Sequence, residues 1–197
     1  MTIPIKKSQK IVYQNYRTIW QKVFEIPKKQ VYSNLEKSSQ LNQNNLKEKI
    51  QKDTQEITME VYGTNHTVLV CALDIFGSLI LNSQFRFGPE KFLLEFPGGG
   101  CLDEEDIVKT AQKELLEETG YCGNLELFQT RVDGSYATGL THIFIARTCQ
   151  KIQENNLETE EIITSLIIKS TEFRDLVQNP DFIHADLLAR ILYLGII

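Results

Sequence analysis

The sequence predicts an α/β or α+β sandwich with a mixed β-sheet, and the order of its segments leads to this fold class. Strand-like runs lie on both sides of a central helix, and an amphipathic helix closes the chain. A sheet and a helix each bury an apolar face, so elements in this order pack as layers around one core. With 197 residues the chain is long enough for a sizeable core.

Composition and charge exclude several classes of protein. The chain is 42% hydrophobic and 24% charged, as ordinary globular proteins are, and its formal net charge is -5. A negative balance argues against nucleic-acid binding through bulk positive charge. No stretch approaches the roughly 18 apolar residues of a membrane span, and the first residues lack the apolar core of a signal peptide. We expect no nucleic-acid partner and no membrane association.

The cysteines and histidines form no metal-binding pattern. The four cysteines are scattered without a CxxC pair, and the three histidines are equally dispersed. Isolated cysteines in a chain of this size are typical of reduced thiols, which predicts a cytoplasmic protein.

The first 60 residues form a polar zone rich in Lys, Gln and Asn. Within it, residues 10–26 contain the β-branched and aromatic residues that favour strands. Residues 33–56 are weakly patterned and predict a linker, a flap or a marginal helix. We therefore divide the chain into a β-rich N-terminal segment, 1–60, and a main domain, 61–197.

The main domain begins with short apolar runs that predict strands. Residues 66–81 predict two strands joined by a turn near Gly77, and Pro97 stops a third. Further strands are expected at 125–132, 141–150 and 160–169, and a final helix near Asp181.

The central helix is predicted over residues 103–119, with Asp103 as its N-cap and Gly120 at its end. Apolar residues recur along it at helical spacing, so it is expected to pack on the core. This apolar stripe consists of Ile107, Val108, Ala111, Leu115 and Leu116.

Three glutamates on this helix raise the question of function. Glu114, Glu117 and Glu118 are spaced by three and four residues, which places them on neighbouring turns of one face, expected roughly opposite the apolar stripe. Like charges at this spacing destabilise a helix by a few tenths of a kcal/mol per pair. A solvated acidic face is one explanation. The other is Mg²⁺ or Mn²⁺, which prefers such hard oxygen ligands and typically acts on phosphates.

The residues from Gly99 to Tyr121 resemble the signature of the Nudix hydrolases: G, five residues, E, seven residues, R-E-U-x-E-E-x-G-U, where U is bulky and apolar. Gly99 matches the glycine, Glu105 the first glutamate and Gly120 the last glycine. Two positions depart from it, since Lys113 replaces the arginine and Tyr121 an aliphatic residue. The resemblance covers about residues 60–197 and implies an α/β/α sandwich with a mixed β-sheet.

The same resemblance implies roles for the matching residues. Glu114 and Glu118 would be the main metal ligands, Glu117 a further ligand or the holder of a metal-bound water, and the Gly98 carbonyl a backbone ligand. Lys113 keeps the charge of the family arginine but cannot form its planar bidentate fork.

The flanking segments resemble the ADP-ribose pyrophosphatase branch of this family. "QFR", ending at Arg86, matches its Q-x-R element, and "LLEFPGGG" matches its E-[apolar]-P-A-G-G element with Gly98 in the alanine position. Arg86 and Glu95 would then bind substrate. The acidic loop "LETEEI" would supply the acid that places the attacking water, Glu160 before Glu158. A proline-glycine turn of the branch is altered, with Thr138 at the proline position.

The resemblance predicts a Mg²⁺- or Mn²⁺-dependent pyrophosphohydrolase acting on a nucleoside diphosphate derivative, most simply ADP-ribose or another nucleotide sugar. In this branch an N-terminal β-rich segment often exchanges across a homodimer, which is the expectation for residues 1–60. The alternatives are a non-catalytic nucleotide sensor and a dinucleoside polyphosphate hydrolase.

Overall fold

The computed structural model describes residues 5–14, 18–27, 54–63, 66–102 and 106–197. Most of the predicted linker at 33–56, the predicted cap Asp103 and the signature residue Glu105 lie outside these ranges. The chain divides into two compact units, Met1–Thr64 with Gly134–Thr138, and Asn65–Asp133 with Gly139–Ile197.

The first unit contains an antiparallel sheet of β1 (Ile5–Gln14), β2 (Thr18–Pro27) and β3 (Thr54–Gly63), with β2 in the centre. The ring of Trp20 lies against Gly63, where an added Cβ would come within 1.7 Å of it, so only glycine fits there. The Tyr62 backbone bonds to the 134–138 segment, its N–H donating to the Tyr136 carbonyl. The proposed boundary at residue 60 falls within β3.

The second unit is built on a mixed sheet. Its strands are β4 (His66–Asp74), β5 (Leu79–Arg86), β6 (Lys91–Glu95), β7 (Gly98–Cys101), β8 (Tyr121–Val132), β9 (Leu140–Lys151) and β10 (Ile163–Ile168). The order is β10-β5-β4-β9-β8, with β6 paired to β5 and β7 to β4. Only the β4–β9 pair is parallel among these strands, which makes the sheet mixed.

Helices cover both faces of this sheet. α1 (Ile107–Thr119) packs on one face, and α2 (Phe173–Gln178) and α3 (Ala185–Tyr193) pack on the other. Strand alternation divides β4 between the two cores, with Val70 facing α1 and Cys71 facing α2 and α3. The predicted α/β/α sandwich with a mixed sheet is confirmed.

Several predicted boundaries were wrong. α1 begins at Ile107 rather than at 103, because the Asp106 side chain accepts the Val108 and Lys109 N–H groups as N-cap. The final helix begins at Ala185, four residues after Asp181. α2 was not predicted, because six residues are too short for a helical pattern to stand out.

Candidate active site

The glycine stretch before α1 forms a strand. Residues 98–101 form β7 and pair antiparallel with the start of β4, with Gly98 opposite Leu69. A Cβ at Gly98 would lie 2.1 Å from the Val68 carbonyl oxygen. Glycine therefore lets β7 lie close to β4 beside α1. We call α1 the glutamate helix, because it carries Glu114, Glu117 and Glu118.

Glu118 lies on the buried side of α1, not opposite the apolar stripe. It follows Ala111 and Leu115 at the spacing of one helix face, and only 3% of it is exposed. Its Oε2 accepts two hydrogen bonds, from Asn82 Nδ2 at 2.9 Å and from the Gly98 N–H at 2.8 Å. The expectation that its face opposes the stripe was wrong, because residues seven apart return to the same side.

Burial and neighbouring charge make ionisation of Glu118 unfavourable. Burial is the main cause that raises its pKa to about 8, with Glu114 and Glu161 adding like charge, although the Gly98 N–H and the Asn82 amide oppose the shift. A carboxylate in this situation gains from a nearby cation, which would supply the missing positive charge.

Glu114 lies beside Gly99 and shares this electrostatic environment. Burial is the main cause that raises its pKa, Lys113 opposes the shift, and Glu117, Glu161 and Glu158 contribute like charge. Its carboxyl group is so close to Gly99 that an added Cβ there would meet the Glu114 Cδ at 2.6 Å.

Gly99→Ala is expected to displace the Glu114 carboxylate. The obstacle is the end of a flexible side chain, so the fold should remain stable while the nucleotide-hydrolysing activity proposed below falls about 10- to 100-fold. Thermal unfolding and steady-state kinetics measure the two effects. Gly100→Ala is the matched control, since a Cβ there meets nothing within 4 Å. Equal activity of both variants would contradict the placement of Glu114 in the site.

Glu117 differs from the other two glutamates because it is paired with a cation. Lys113 Nζ lies 3.2 Å from Glu117 Oε2, one turn along the helix. The hydrogen bond to Glu117 is the main cause that raises the Lys113 pKa. Lys113 therefore contributes positive charge at the exposed edge of the glutamate cluster.

Lys113→Arg is expected to be tolerated or activating. Arginine can keep the pair with Glu117 and offers further donors in a planar fork. We expect kcat/KM to stay within about threefold of wild type or to rise. Lys109→Arg, on an exposed lysine one turn earlier, controls for the change of side chain. A large loss specific to position 113 would show that the ammonium group itself is required.

Arg86 and Glu95 were both predicted to bind substrate, and in the structure they form a bidentate ion pair with each other. Arg86 Nε and Nη2 donate to the two Glu95 carboxylate oxygens at 2.7 and 2.5 Å across β5 and β6. Glu95 is buried, whereas 44% of the Arg86 side chain is exposed. The pair fixes the direction in which an exposed guanidinium leaves the sheet, as a phosphate-binding group requires.

The acidic loop between β9 and β10 is tied to the end of α1. The Asn156 N–H donates to the Glu117 carbonyl at 2.7 Å, and the Ile152 N–H donates to the Gly120 carbonyl at 2.9 Å. These bonds satisfy carbonyl groups that the last helical turn leaves unpaired. They also explain why acids of this loop lie near the glutamate helix.

Glu158 and Glu161 are the loop acids whose charge acts on the helix glutamates. Both raise the Glu114 pKa, and Glu161 also raises that of Glu118. Glu161 Oε2 accepts the Glu158 N–H at 2.8 Å, which fixes it within the turn. Glu160 is exposed and contributes to neither shift, so its predicted role stays a prediction. A run of similar acids offers no sequence signal that separates Glu161 from its neighbours.

The oxygen donors suit a divalent cation, although within the described ranges no three His, Cys, Asp or Glu side chains already converge on one point. Glu114 and Glu118 are hard, partly or fully buried oxygen donors with raised pKa values. Asn82 Oδ1 is buried without a hydrogen-bond partner among the described residues. The carboxylates fit a metal held by Glu114 and Glu118, with the Gly98 carbonyl as the predicted backbone ligand, and the unpaired amide oxygen marks Asn82, whose Nδ2 holds Glu118.

The sandwich and its glutamate helix are those of the Nudix family, to which this chain belongs: the model of the NUDIX domain matches residues 64–186. The chain is a Nudix-type hydrolase, as predicted. Nudix hydrolases generally use a divalent metal ion.

Similar proteins agree with this family. The chain is 28% identical over 132 residues to the ADP-ribose pyrophosphatase of Bacillus subtilis, covering 64% of this chain and 70% of that protein. It is 31% identical over 113 residues to the methanol dehydrogenase activator of Bacillus methanolicus, covering 56% of each. A crystal structure of an ADP compounds hydrolase superimposes with a TM-score of 0.70 at 19% identity, covering 99% of this chain and 96% of that one, which supports the fold. The resemblance to the ADP-ribose pyrophosphatase branch is thereby confirmed.

Two further properties of the described residues bear on the sequence-based expectations. None of the helices in the described ranges is long and apolar enough to cross a bilayer. All four cysteines are free thiols.

Proposed function

We propose that this chain hydrolyses a nucleoside diphosphate linked to a sugar, ADP-ribose first among them, with Mg²⁺ or Mn²⁺ as cofactor. The products would be a nucleoside monophosphate and a sugar phosphate. The observation that carries the proposal is the pair of half-buried Glu114 and buried Glu118, whose repulsion and burial favour a bound cation. The similarity to the B. subtilis ADP-ribose pyrophosphatase supports the choice of substrate.

The β5–β6 hairpin supports binding of a diphosphate. Arg86 follows Asn82, the partner of Glu118, by four residues on β5, so both lie on the same face about 13 Å apart along the strand. An arginine side chain held by Glu95 can extend from there toward phosphate oxygens. The exposed guanidinium and the acidic pair thus flank one stretch of the sheet surface.

The proposed reaction is attack by water on one phosphorus atom, with cleavage of the bridging P–O bond. When bound, a divalent cation would neutralise the diphosphate and lower the pKa of the attacking water. Glu114, Glu118 and the Gly98 carbonyl hold the cation, and Arg86 orients the substrate. An acid of the 158–161 loop accepts the proton of the water, which requires a group within hydrogen-bond reach. Glu161 joins the predicted Glu160 and Glu158 as a candidate for this role.

The decisive experiment is product detection with purified protein and Mg²⁺ on a panel of compounds. The panel contains ADP-ribose, ADP-glucose, GDP-mannose, NADH, diadenosine polyphosphates and nucleoside triphosphates. Release of AMP and ribose 5-phosphate from ADP-ribose, at a higher kcat/KM than any other member, would support the proposal. Preference for a dinucleoside polyphosphate would replace the substrate assignment. Binding of ADP-ribose without cleavage of any member would make the chain a nucleotide sensor.

The loop acids can be separated by single substitutions. Glu158→Gln, Glu160→Gln and Glu161→Gln each remove one charge while keeping side-chain size. The variant with the largest loss of kcat identifies the acid that places the water. Equal, small effects of all three would remove this loop from the proposed mechanism.

We also propose that the chain is a homodimer in which residues 1–60 exchange between subunits. All residues of β1 are exposed within its own unit, including Ile11 and Tyr13, so the strand has apolar surface available for a second copy. Light scattering after size-exclusion chromatography tests the dimer. A monomer at micromolar concentration would contradict it.

A further inference from the structure

Asn82 is a buried polar residue in the middle of β5. It follows Leu79, Ile80 and Leu81 in β5, and only 1% of it is exposed. Its backbone lies opposite Ser165 of β10 on one side and Glu95 of β6 on the other. Burying an amide group costs free energy unless its polar atoms are hydrogen-bonded, so the presence of Asn82 here needs an explanation.

The amide nitrogen of Asn82 is used by Glu118. Nδ2 donates to Glu118 Oε2 at 2.9 Å, and the Gly98 N–H donates to the same oxygen at 2.8 Å. Two donors on one oxygen fix the rotation of the carboxylate. Among the described residues Oε1 receives no hydrogen bond, so it is the oxygen left for a ligand.

Both donors on Oε2 are neutral. A lysine or arginine at the position of Asn82 would also orient the carboxylate, but it would cancel the negative charge that attracts a cation. An amide orients the group and leaves its charge in place. Orientation without neutralisation is what a ligand to a divalent cation needs from its supporting residues.

The amide oxygen of Asn82 indicates that folding alone does not account for this residue. Oδ1 is a buried acceptor without a hydrogen-bond partner in the described part of the chain. An unpaired buried acceptor is unfavourable for stability, and an apolar residue here would avoid it. The Asn82 side chain therefore packs unfavourably, whereas its amide group is suited to orienting the Glu118 carboxylate.

We propose that Asn82 is a positioning residue for the cation site, holding Glu118 Oε2 so that Oε1 faces the metal. The inference rests on the proposed function, because the role of Glu118 as a metal ligand is part of that proposal. The residue acts through Glu118 and has no direct contact with substrate or metal in this role.

The test compares metal affinity with stability in the Asn82→Val variant. Valine suits a strand, removes the donor and removes the unpaired acceptor. Mn²⁺ binding to the full chain, measured without substrate from the electron paramagnetic resonance signal of free Mn²⁺, should weaken about 10- to 100-fold. The melting temperature in metal-free buffer should stay within about 3 °C of wild type.

Ser165→Ala is the matched control. The Ser165 hydroxyl donates to the Glu118 backbone carbonyl at 3.2 Å, so this variant removes a hydrogen bond to the same residue but not to its carboxylate. Its Mn²⁺ affinity should stay within about twofold of wild type. An equal loss in both variants would mean that docking of α1, not orientation of the carboxylate, controls affinity, which would overturn the proposal.

Three other results would overturn the inference. Wild-type Mn²⁺ affinity in Asn82→Val would do so while leaving the proposed hydrolysis intact. A loss of affinity that accompanies a large drop in melting temperature, in both Asn82→Val and the smaller Asn82→Ala, would make Asn82 a packing residue. If the wild-type chain leaves millimolar Mn²⁺ free, the metal-dependent function itself fails, and the inference fails with it.

Discussion

Glu118→Gln is expected to lower kcat by at least about 10³-fold, which corresponds to a loss of about 4 kcal/mol of transition-state stabilisation. Glutamine removes the charge of a proposed metal ligand. Its amide oxygen can still accept the hydrogen bonds from Asn82 Nδ2 and the Gly98 N–H, so the fold around the site should remain. Initial-rate kinetics on the best substrate of the panel measure the effect.

The same variant should be as stable as wild type, or more stable, in EDTA at pH 7. The pKa of Glu118 rises to about 8 on folding, so at pH 7 the folded chain binds a proton that the unfolded chain does not. The contribution of Glu118 to the free energy of unfolding therefore falls as the pH rises from about 4.5 to 8. Glutamine has no such cost. Added Mg²⁺ should raise the melting temperature of wild type but not that of Glu118→Gln, since a ligand stabilises the state that binds it.

Glu126→Gln controls for charge removal, because Glu126 is exposed on β8 and lines a cavity with Gly195 and Ile196, the residues that follow α3. It should keep wild-type kinetics and the wild-type response to Mg²⁺. Near-full activity of Glu118→Gln would show that the metal assignment is wrong.

Lowering the pH from 7 to 5 is expected to cost about 2 kcal/mol of folding free energy at His184. His184 is 8% exposed, and its Nδ1 accepts the Phe96 N–H at 3.0 Å, which requires that nitrogen to be unprotonated. Burial is the main cause that lowers its pKa to about 4, with Arg131 and Arg86 contributing and Asp186 opposing.

The direction follows from proton uptake by the unfolded chain. Above about pH 6.5 the imidazole is neutral in both states, and His184 adds nothing to the pH dependence. Between about pH 6.5 and 4 the unfolded histidine binds a proton that the folded one does not, so stability falls as pH falls. Urea unfolding at pH 7 and 5 measures the difference.

His184→Asn provides the comparison, because its side-chain oxygen can accept the Phe96 N–H and does not titrate. It should lose stability at both pH values, since the ring stacks on Phe96 with centroids 5.5 Å apart. The decrease between pH 7 and 5 should be smaller than in wild type by about 2 kcal/mol. An equal decrease in both proteins would place the pH dependence elsewhere, for example in the carboxylates.

Local signals in the sequence were sufficient to predict the family, the sandwich fold and the helix that carries Glu114, Glu117 and Glu118. Strand alternation, helical spacing and the glycine at 120 depend on neighbouring residues, and a spaced motif is visible without a structure. The N-cap was harder, because several acids precede α1 and only the backbone geometry selects Asp106.

The tertiary structure decided how these residues interact. It buried Glu118 beside Asn82, turned Glu117 toward Lys113, and joined Arg86 to Glu95. It also brought Glu158 and Glu161, rather than Glu160, to the electrostatic neighbourhood of the helix. Each of these contacts joins groups whose identity the sequence states but whose direction depends on side-chain rotamers and strand register, which only the packed sheet determines.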